Sequence, residues 1–188
     1  MGVRINMLID HDLADFRDVG EVLARLHAAS GAARSLEEFW RATEPDHLPD
    51  PLRSWEADPE NPRRPGLRTF NGPGRLFLTV TAAAMQVRCG GRWRALVADE
   101  PLRRAHLDAF RSIARGLGAG FLALHADSDD VDELLRDGRP AWECVLRMES
   151  LWGPPERGVE WLDAEPGEGG ATWLPSHAWF LEDVQGGP

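Results

Sequence analysis

Two acidic segments, 10–12 (Asp-His-Asp) and 127–130 (Asp-Ser-Asp-Asp), each follow a predicted strand. If those strands are parallel neighbours, their carboxyl ends meet at one edge of a sheet, where the sites of open α/β proteins gather. Clustered carboxylate oxygens are ligands that magnesium and manganese prefer. The sequence therefore admits a metal-dependent phosphoester hydrolase or nucleotidyl-type enzyme. Its candidate catalytic and metal-ligating residues are Asp10, Asp12, Asp127 and Asp129.

The same acids have a simpler structural interpretation as helix caps. Asp130 followed by Glu133 has the form of a capping box, and Asp12 or Asp18 could cap the helix that follows the first strand. Acids in a first helical turn also complement the helix dipole. On this interpretation the chain needs no metal and no cofactor.

Strands and helices are interleaved along the chain, and their arrangement determines where these acids can lie. Apolar residues at every second position predict a strand over 3–9, and β-rich runs predict strands over 76–81 and 85–89. Gly90-Gly91 before the run 93–98 indicates a hairpin turn. Short apolar runs predict further strands at 121–124 and 178–181.

Helical spacing of apolar residues predicts helices after Asp18, Ser35, Pro101, Asp130 and Pro140. The helix from Pro101 carries His106 among several arginines, which is typical of a solvated face or of an anion-binding one. In the helix from Pro140, five residues are predicted to be buried: Trp142, Val145, Leu146, Met148 and Leu151.

These elements predict an α+β (mixed α/β) fold with a single mixed sheet, a central antiparallel hairpin or meander, and four to five packing helices. Residues 1–188 are expected to form one domain. Seven of the 14 prolines lie in 45–73, which predicts a long Pro-rich loop within that domain. Trp55 in this loop could pin it to the body of the protein.

Composition excludes several classes of chemistry. The chain has 188 residues, is 43% hydrophobic and contains no lysine, so Walker-type phosphate binding and Schiff-base chemistry are not expected. Cys89 and Cys144 lie in apolar contexts and are expected to be buried structural thiols. We find no apolar run of membrane-spanning length and no signal peptide, which predicts a cytoplasmic protein without membrane contact.

The negative charge is concentrated in one part of the sequence. The net charge is −10, and residues 127–183 hold 15 acids against four arginines, or −11, while the remainder is +1 with 17 arginines against 16 acids. This balance argues against binding to nucleic acid. Carboxylates gathered on one face would attract basic partners, whereas carboxylates spread over the surface would only aid solubility.

Eight tryptophans accompany this charge. Four of them fall on apolar stripes and are predicted to be core: Trp40, Trp93, Trp142 and Trp179. The other four lie in or beside Gly/Pro-rich segments, where they serve as loop anchors or as exposed contacts for a partner: Trp55, Trp152, Trp161 and Trp173.

Acidity, loop tryptophans and the lack of a catalytic motif together favour a non-enzymatic protein-binding module. We expect an acidic inhibitor or immunity-type protein, comparable in type to the small acidic bacterial proteins that neutralise toxins, with a basic protein partner such as a toxin. A scaffold or accessory role in an assembly fits the same features. The candidate partner-binding residues are Asp129, Asp130, Glu133, Trp161, Glu165 and Trp173.

Overall fold

A computed structural model describes residues 4–29, 54–59, 66–92, 96, 99–156 and 179–185. These ranges contain seven strands, β1 (Arg4–Ile9), β2 (Glu56–Ala57), β3 (Arg68–Gly72), β4 (Leu76–Val80), β5 (Met85–Arg92), β6 (Phe121–Ala126) and β7 (Trp179–Asp183). They also contain four α-helices, α1 (Val19–Ala28), α2 (Glu100–Gly116), α3 (Asp129–Arg136) and α4 (Ala141–Trp152). No helix in the described ranges is long and apolar enough to span a bilayer.

All seven strands belong to one sheet, with the order β2-β3-β4-β5-β1-β6-β7. Each neighbouring pair is antiparallel. Strands β2 to β5 are consecutive both in the chain and in space and form an antiparallel meander, which includes the predicted neighbours 76–81 and 85–89. The predicted α+β fold with a single sheet is confirmed.

The turn of the central hairpin lies earlier than the sequence predicted. It spans residues 81–84, where the Thr81 N–H donates to the Ala84 carbonyl over 2.9 Å. Gly90 and Gly91 instead lie inside β5, at the point where the pairing with β1 shifts its register. Glycine inside a strand commonly marks such a bulge. The prediction that Gly90-Gly91 forms the hairpin turn was therefore wrong. Of the strand predicted over 93–98, only Leu96 is described, and it lies in no strand.

Helices cover the sheet on both faces, giving three layers. One face packs against α1 and α2, and its core includes Ile5, Met7, Val87, Leu124, Phe180, Val22, Leu26, Phe110 and Ile113. The opposite face packs against α3 and α4, and its core includes Leu8, Ala123, Trp179, Val131, Leu135, Cys144 and Met148. Strand alternation sends successive side chains to opposite faces, so β1, β6 and β7 contribute to both cores, whereas β3, β4 and β5 contribute to the α1–α2 core.

Part of the Pro-rich segment, predicted to be a loop, forms strands. Of residues 45–73, the structure describes 54–59 and 66–73, and these include β2 and β3. Trp55 is buried, and its carbonyl oxygen lies 3.1 Å from Nε2 of His27 in α1, so it contacts the body of the protein as the sequence suggested. The helix predicted after Ser35 lies outside the described residues.

Candidate functional site

The two acidic segments lie at opposite ends of neighbouring strands. β1 and β6 are adjacent but antiparallel, with Ile5 opposite Ala126 and Ile9 opposite Leu122. Segment 10–12 therefore follows the end of β1 that lies beside the start of β6, whereas Asp127 follows the far end of β6. The metal-site hypothesis required parallel neighbours, so the structure does not bring its four aspartates together.

Each aspartate of the first segment has a local structural role. Asp10 Oδ1 accepts hydrogen bonds from the backbone N–H groups of Gly120 (2.9 Å) and Phe121 (3.2 Å), which fixes the entry into β6. Asp12 forms an ion pair with Arg25 of α1. Within the described ranges, no group of three or more His, Cys, Asp or Glu side chains could hold a metal ion.

The second segment closes the other end of the sheet and begins α3. Asp127 accepts from the buried Asn6 amide (2.8 Å) and from the Arg4 N–H (3.1 Å). The N-cap of α3 is Ser128, whose side chain accepts from the Val131 N–H. The expected capping box of Asp130 and Glu133 does not form, because the helix begins two residues earlier and Val131 stands three residues after the cap. Asp129 and Asp130 lie in the first turn. Asp18 does cap α1, as one of the two alternatives predicted.

Because these acids act separately, we expect their substitutions to be additive. Asp10→Ala and Asp127→Ala each leave hydrogen-bond donors of the backbone or of the Asn6 amide without an acceptor. Each substitution should therefore lower the free energy of unfolding by about 1–3 kcal/mol. The six residues of β6 separate the two sites by about 20 Å, so the double variant should equal the sum within about 0.5 kcal/mol. Urea unfolding of the four proteins measures this. A double variant that departs from the sum by more than this would support the metal-site hypothesis. So would a melting temperature that rises with magnesium in the wild type alone.

A row of polar side chains crosses the sheet beneath α3. Arg88, Asn6 and His125 are direct neighbours on β5, β1 and β6. Arg88 Nε donates to Gln86 over 2.9 Å, and its guanidinium also pairs with Asp132 of α3. The apolar periodicity of the strands did not reveal this row, because its partners lie more than 40 residues apart. The signal available in sequence was the polar residues that alternate with apolar ones in β1 and β5.

His125, at one end of this row, is fully buried. Its Nδ1 lies 2.7 Å from the Ala126 carbonyl oxygen, which can only accept, so Nδ1 carries the proton. Nε2 is buried and has no hydrogen-bond partner among the described residues. Burial lowers the pKa of this ring to about 4, although the carboxylates of Asp132 and Asp127 act in the opposite direction. The ring is therefore neutral at physiological pH and closed to solvent.

Both cysteines are buried, as expected. Burial raises the pKa of the Cys144 thiol to about 11. Since the thiolate is the reactive form of cysteine, this raised pKa disfavours a nucleophilic role for Cys144 at neutral pH.

Carboxylates line the outer face of α3. Asp129, Glu133 and Asp137, called the acid row below, follow one another at intervals of four residues and are all exposed. No ion pair connects them to any described residue, whereas Asp130 is held by Arg147 of α4 at 2.6 Å. Asp137 is the C-cap of α3, where the helix dipole disfavours a negative charge. Helix stability therefore does not explain the full acid row.

Two large apolar side chains lie exposed on α4. Trp142 and Leu146 are 56% and 53% exposed and four residues apart, so they share one side of the helix. The prediction that they are core was wrong, as it was for Leu151, which is 40% exposed. The helix meets the sheet through the small or flexible residues Ala141, Cys144 and Met148, which turns Trp142 and Leu146 outward.

The two helical layers differ in charge. Residues 129–152, called the α3–α4 layer, hold seven acids and three arginines, a net charge of −4. Helices α1 and α2 together hold three acids and five arginines, a net charge of +2. Three of the predicted partner-binding residues, Asp129, Asp130 and Glu133, lie together in the α3–α4 layer. The other three lie outside the described residues: Trp161, Glu165 and Trp173.

Comparison of the chain with protein-family models, curated proteins and solved structures finds no match. The functional argument therefore depends on the chemistry of the α3–α4 layer itself.

Proposed function

We propose that this protein is a non-enzymatic binding module of the inhibitor or immunity type, which binds a basic protein partner through the outer face of the α3–α4 layer. The observation that supports this most directly is that exposed Trp142 and Leu146 lie in the same layer as the acid row. Solubility alone could account for the acids, but it gains nothing from an exposed tryptophan. A docking surface uses both.

The two features have different roles in such a complex. The acid row raises the rate of encounter with a cationic surface and selects against acidic partners. Trp142 and Leu146 supply apolar area at the centre of a contact, where tryptophan is enriched among the residues that dominate binding energy. Arg147 is already paired with Asp130, so it does not cancel the acid row.

The layer is also held rigidly from beneath. Asp132 is tied to Arg88 and Gln86 of the sheet, and the Trp179 indole N–H donates to the Gly153 carbonyl over 3.0 Å at the end of α4. A surface that is already ordered loses little conformational entropy on binding. The fold thus presents the acid row and the tryptophan in a fixed arrangement.

Affinity capture from the source organism with matched variants tests the proposal. The acid-row variant Asp129→Asn/Glu133→Gln/Asp137→Asn removes three negative charges, and the control Asp15→Asn/Glu100→Gln/Asp108→Asn removes three from the other parts of the surface. We expect a basic protein to be captured by the wild type and the control but not by the acid-row variant. With the purified partner, the acid-row variant should bind at least about tenfold more weakly at low salt, a loss near 1.4 kcal/mol.

A second variant separates apolar contact from charge. Trp142→Ser/Leu146→Ser keeps the net charge and replaces side chains that the core does not use, so the fold should survive. It should bind the same partner at least about tenfold more weakly, and the loss should persist at high salt. Capture of the same proteins by all variants, or capture that follows net charge alone, would contradict the proposed surface.

A further inference from the structure

Two buried polar side chains lie side by side between the sheet and the helices α3 and α4. Asn6 of β1 and His125 of β6 are directly opposite each other in the antiparallel pair, and both are fully buried. They share the sheet face of Leu8 and Ala123, which packs against α3 and α4. The Trp152 ring of α4 lies next to His125, with the ring centroids 6.3 Å apart. The pair therefore lies inside the interface between the sheet and these helices.

The contacts of each side chain determine which of its polar atoms is left over. The Asn6 Nδ2 group donates to Asp127 Oδ1 over 2.8 Å, so the amide oxygen Oδ1 is the remaining atom of Asn6. His125 carries its proton on Nδ1, toward the Ala126 carbonyl, so its Nε2 presents a lone pair. Neither Asn6 Oδ1 nor His125 Nε2 has a hydrogen-bond partner among the described residues. Both atoms are acceptors, so neither can satisfy the other.

A further donor is needed here, because buried polar atoms in folded proteins are almost always hydrogen-bonded. The guanidinium of Arg88, the other cross-strand neighbour of Asn6, donates instead to Gln86 and Asp132. A water molecule offers two donors. Two hydrogen bonds of about 2.8 Å that meet at a tetrahedral angle span about 4.6 Å, and the Cβ atoms of directly opposed residues lie about 4.5–5.5 Å apart. One water can therefore span the pair.

We propose that Asn6 and His125 form a binding site for one buried water molecule, which donates one O–H to Asn6 Oδ1 and the other to His125 Nε2. The water links β1 to β6 beneath the α3–α4 layer, and it restores the hydrogen bonds that these two atoms lose on burial. It also holds the proton of His125 on Nδ1, because Nε2 accepts. This site is distinct from the outer face of the α3–α4 layer and does not depend on the proposed function.

Water-selective NOESY and ROESY spectra of the isotope-labelled protein test the site. The carbon-bound protons His125 Hε1 and Asn6 Hβ do not exchange with solvent during the measurement, so a cross peak at the water frequency reports a water proton nearby. We expect such cross peaks at both groups, with opposite signs in the two spectra, which is the pattern of a long-lived bound water. A wild-type protein with no water cross peak at either group would overturn the proposal.

A matched pair of variants locates the water. His125→Phe keeps a ring but removes the acceptor, so the water cross peak at Asn6 Hβ should be lost. His106→Phe is the control, because His106 belongs to α2 on the other face of the sheet, and it should leave that cross peak unchanged. A cross peak that survives in His125→Phe would place the water elsewhere and contradict the site.

A crystal structure of the wild type gives a check that no variant can disturb. We expect a water oxygen within hydrogen-bond distance of both Asn6 Oδ1 and His125 Nε2. A donor from the protein chain at either atom, or a water bonded to only one of them, would refute the proposal.

Discussion

Acidification from about pH 7 to about pH 4 is expected to lower the free energy of unfolding by several kcal/mol through two buried histidines. His106 of α2 and His125 of β6 are both fully buried. Burial lowers the pKa of each ring to about 4, although in each case a backbone carbonyl hydrogen bond acts in the opposite direction. The carbonyl partners are those of Leu102 and Ala126.

The direction follows from proton uptake. In the unfolded chain these rings titrate near pH 6.5, so between pH 6.5 and about 4 the unfolded state binds more protons than the folded state. The free energy of unfolding is therefore unaffected by these rings above pH 6.5 and falls as pH falls toward 4. Each unit between the two pKa values is worth about 1.4 kcal/mol, so each ring contributes up to about 3 kcal/mol.

Urea unfolding followed by far-UV circular dichroism at several pH values measures this effect. His106→Gln and His125→Gln should each flatten the pH dependence by up to about 3 kcal/mol, even where the substitution lowers stability at neutral pH. NMR of the two imidazole rings gives an independent check, since both should stay neutral in the folded protein at pH 5.5, roughly midway between the two pKa values. Rings that titrate near the ordinary histidine pKa, or variants with the wild-type pH dependence, would contradict the expectation.

The sequence predicted local structure well because local patterns decide it. Alternation in β1, the cap at Asp18 and the apolar spacing after Pro101 all depend on residues within one element. Strand direction is different, since β1 pairs with residues 76 to 121 positions away. No residue in segments 10–12 or 127–130 indicates that β1 and β6 run antiparallel. The proposed aspartate cluster depended on that one unknown.

The sequence predicted where the negative charge of the candidate surface lies, but it did not predict the exposed apolar side chains. The excess of acids after Asp127 predicted where negative charge would concentrate, and the α3–α4 layer carries part of it. Helix α4 is apolar around much of its circumference, so spacing could not decide which side meets the sheet. Contact with Leu8, Ala123 and Trp179 decides it, and those residues come from three separate strands. The exposure of Trp142 is therefore decided by how α4 packs on the sheet.

Gly72→Ala is expected to destabilise the protein by about 1–3 kcal/mol or more, because the new methyl group has no room. A Cβ at Gly72 in β3 would lie 2.5–2.6 Å from three ring carbons of Trp55, closer than real Cβ contacts occur. Trp55 is 2% exposed, so its indole cannot move aside without leaving the core. If it leaves, the cost approaches that of losing a buried aromatic, about 3–5 kcal/mol.

Gly66→Ala is the matched control, because a Cβ there meets nothing within 4 Å. It should change stability by less than about 0.5 kcal/mol in the same urea unfolding experiment. The double variant Trp55→Leu/Gly72→Ala should lose less than the sum of its single variants, because the smaller side chain relieves the clash. Equal effects of the two alanines, or strict additivity of the pair, would mean that Trp55 does not pack on Gly72. In that case β2 would be attached through its pairing with β3 and through the contact between the Trp55 carbonyl and His27.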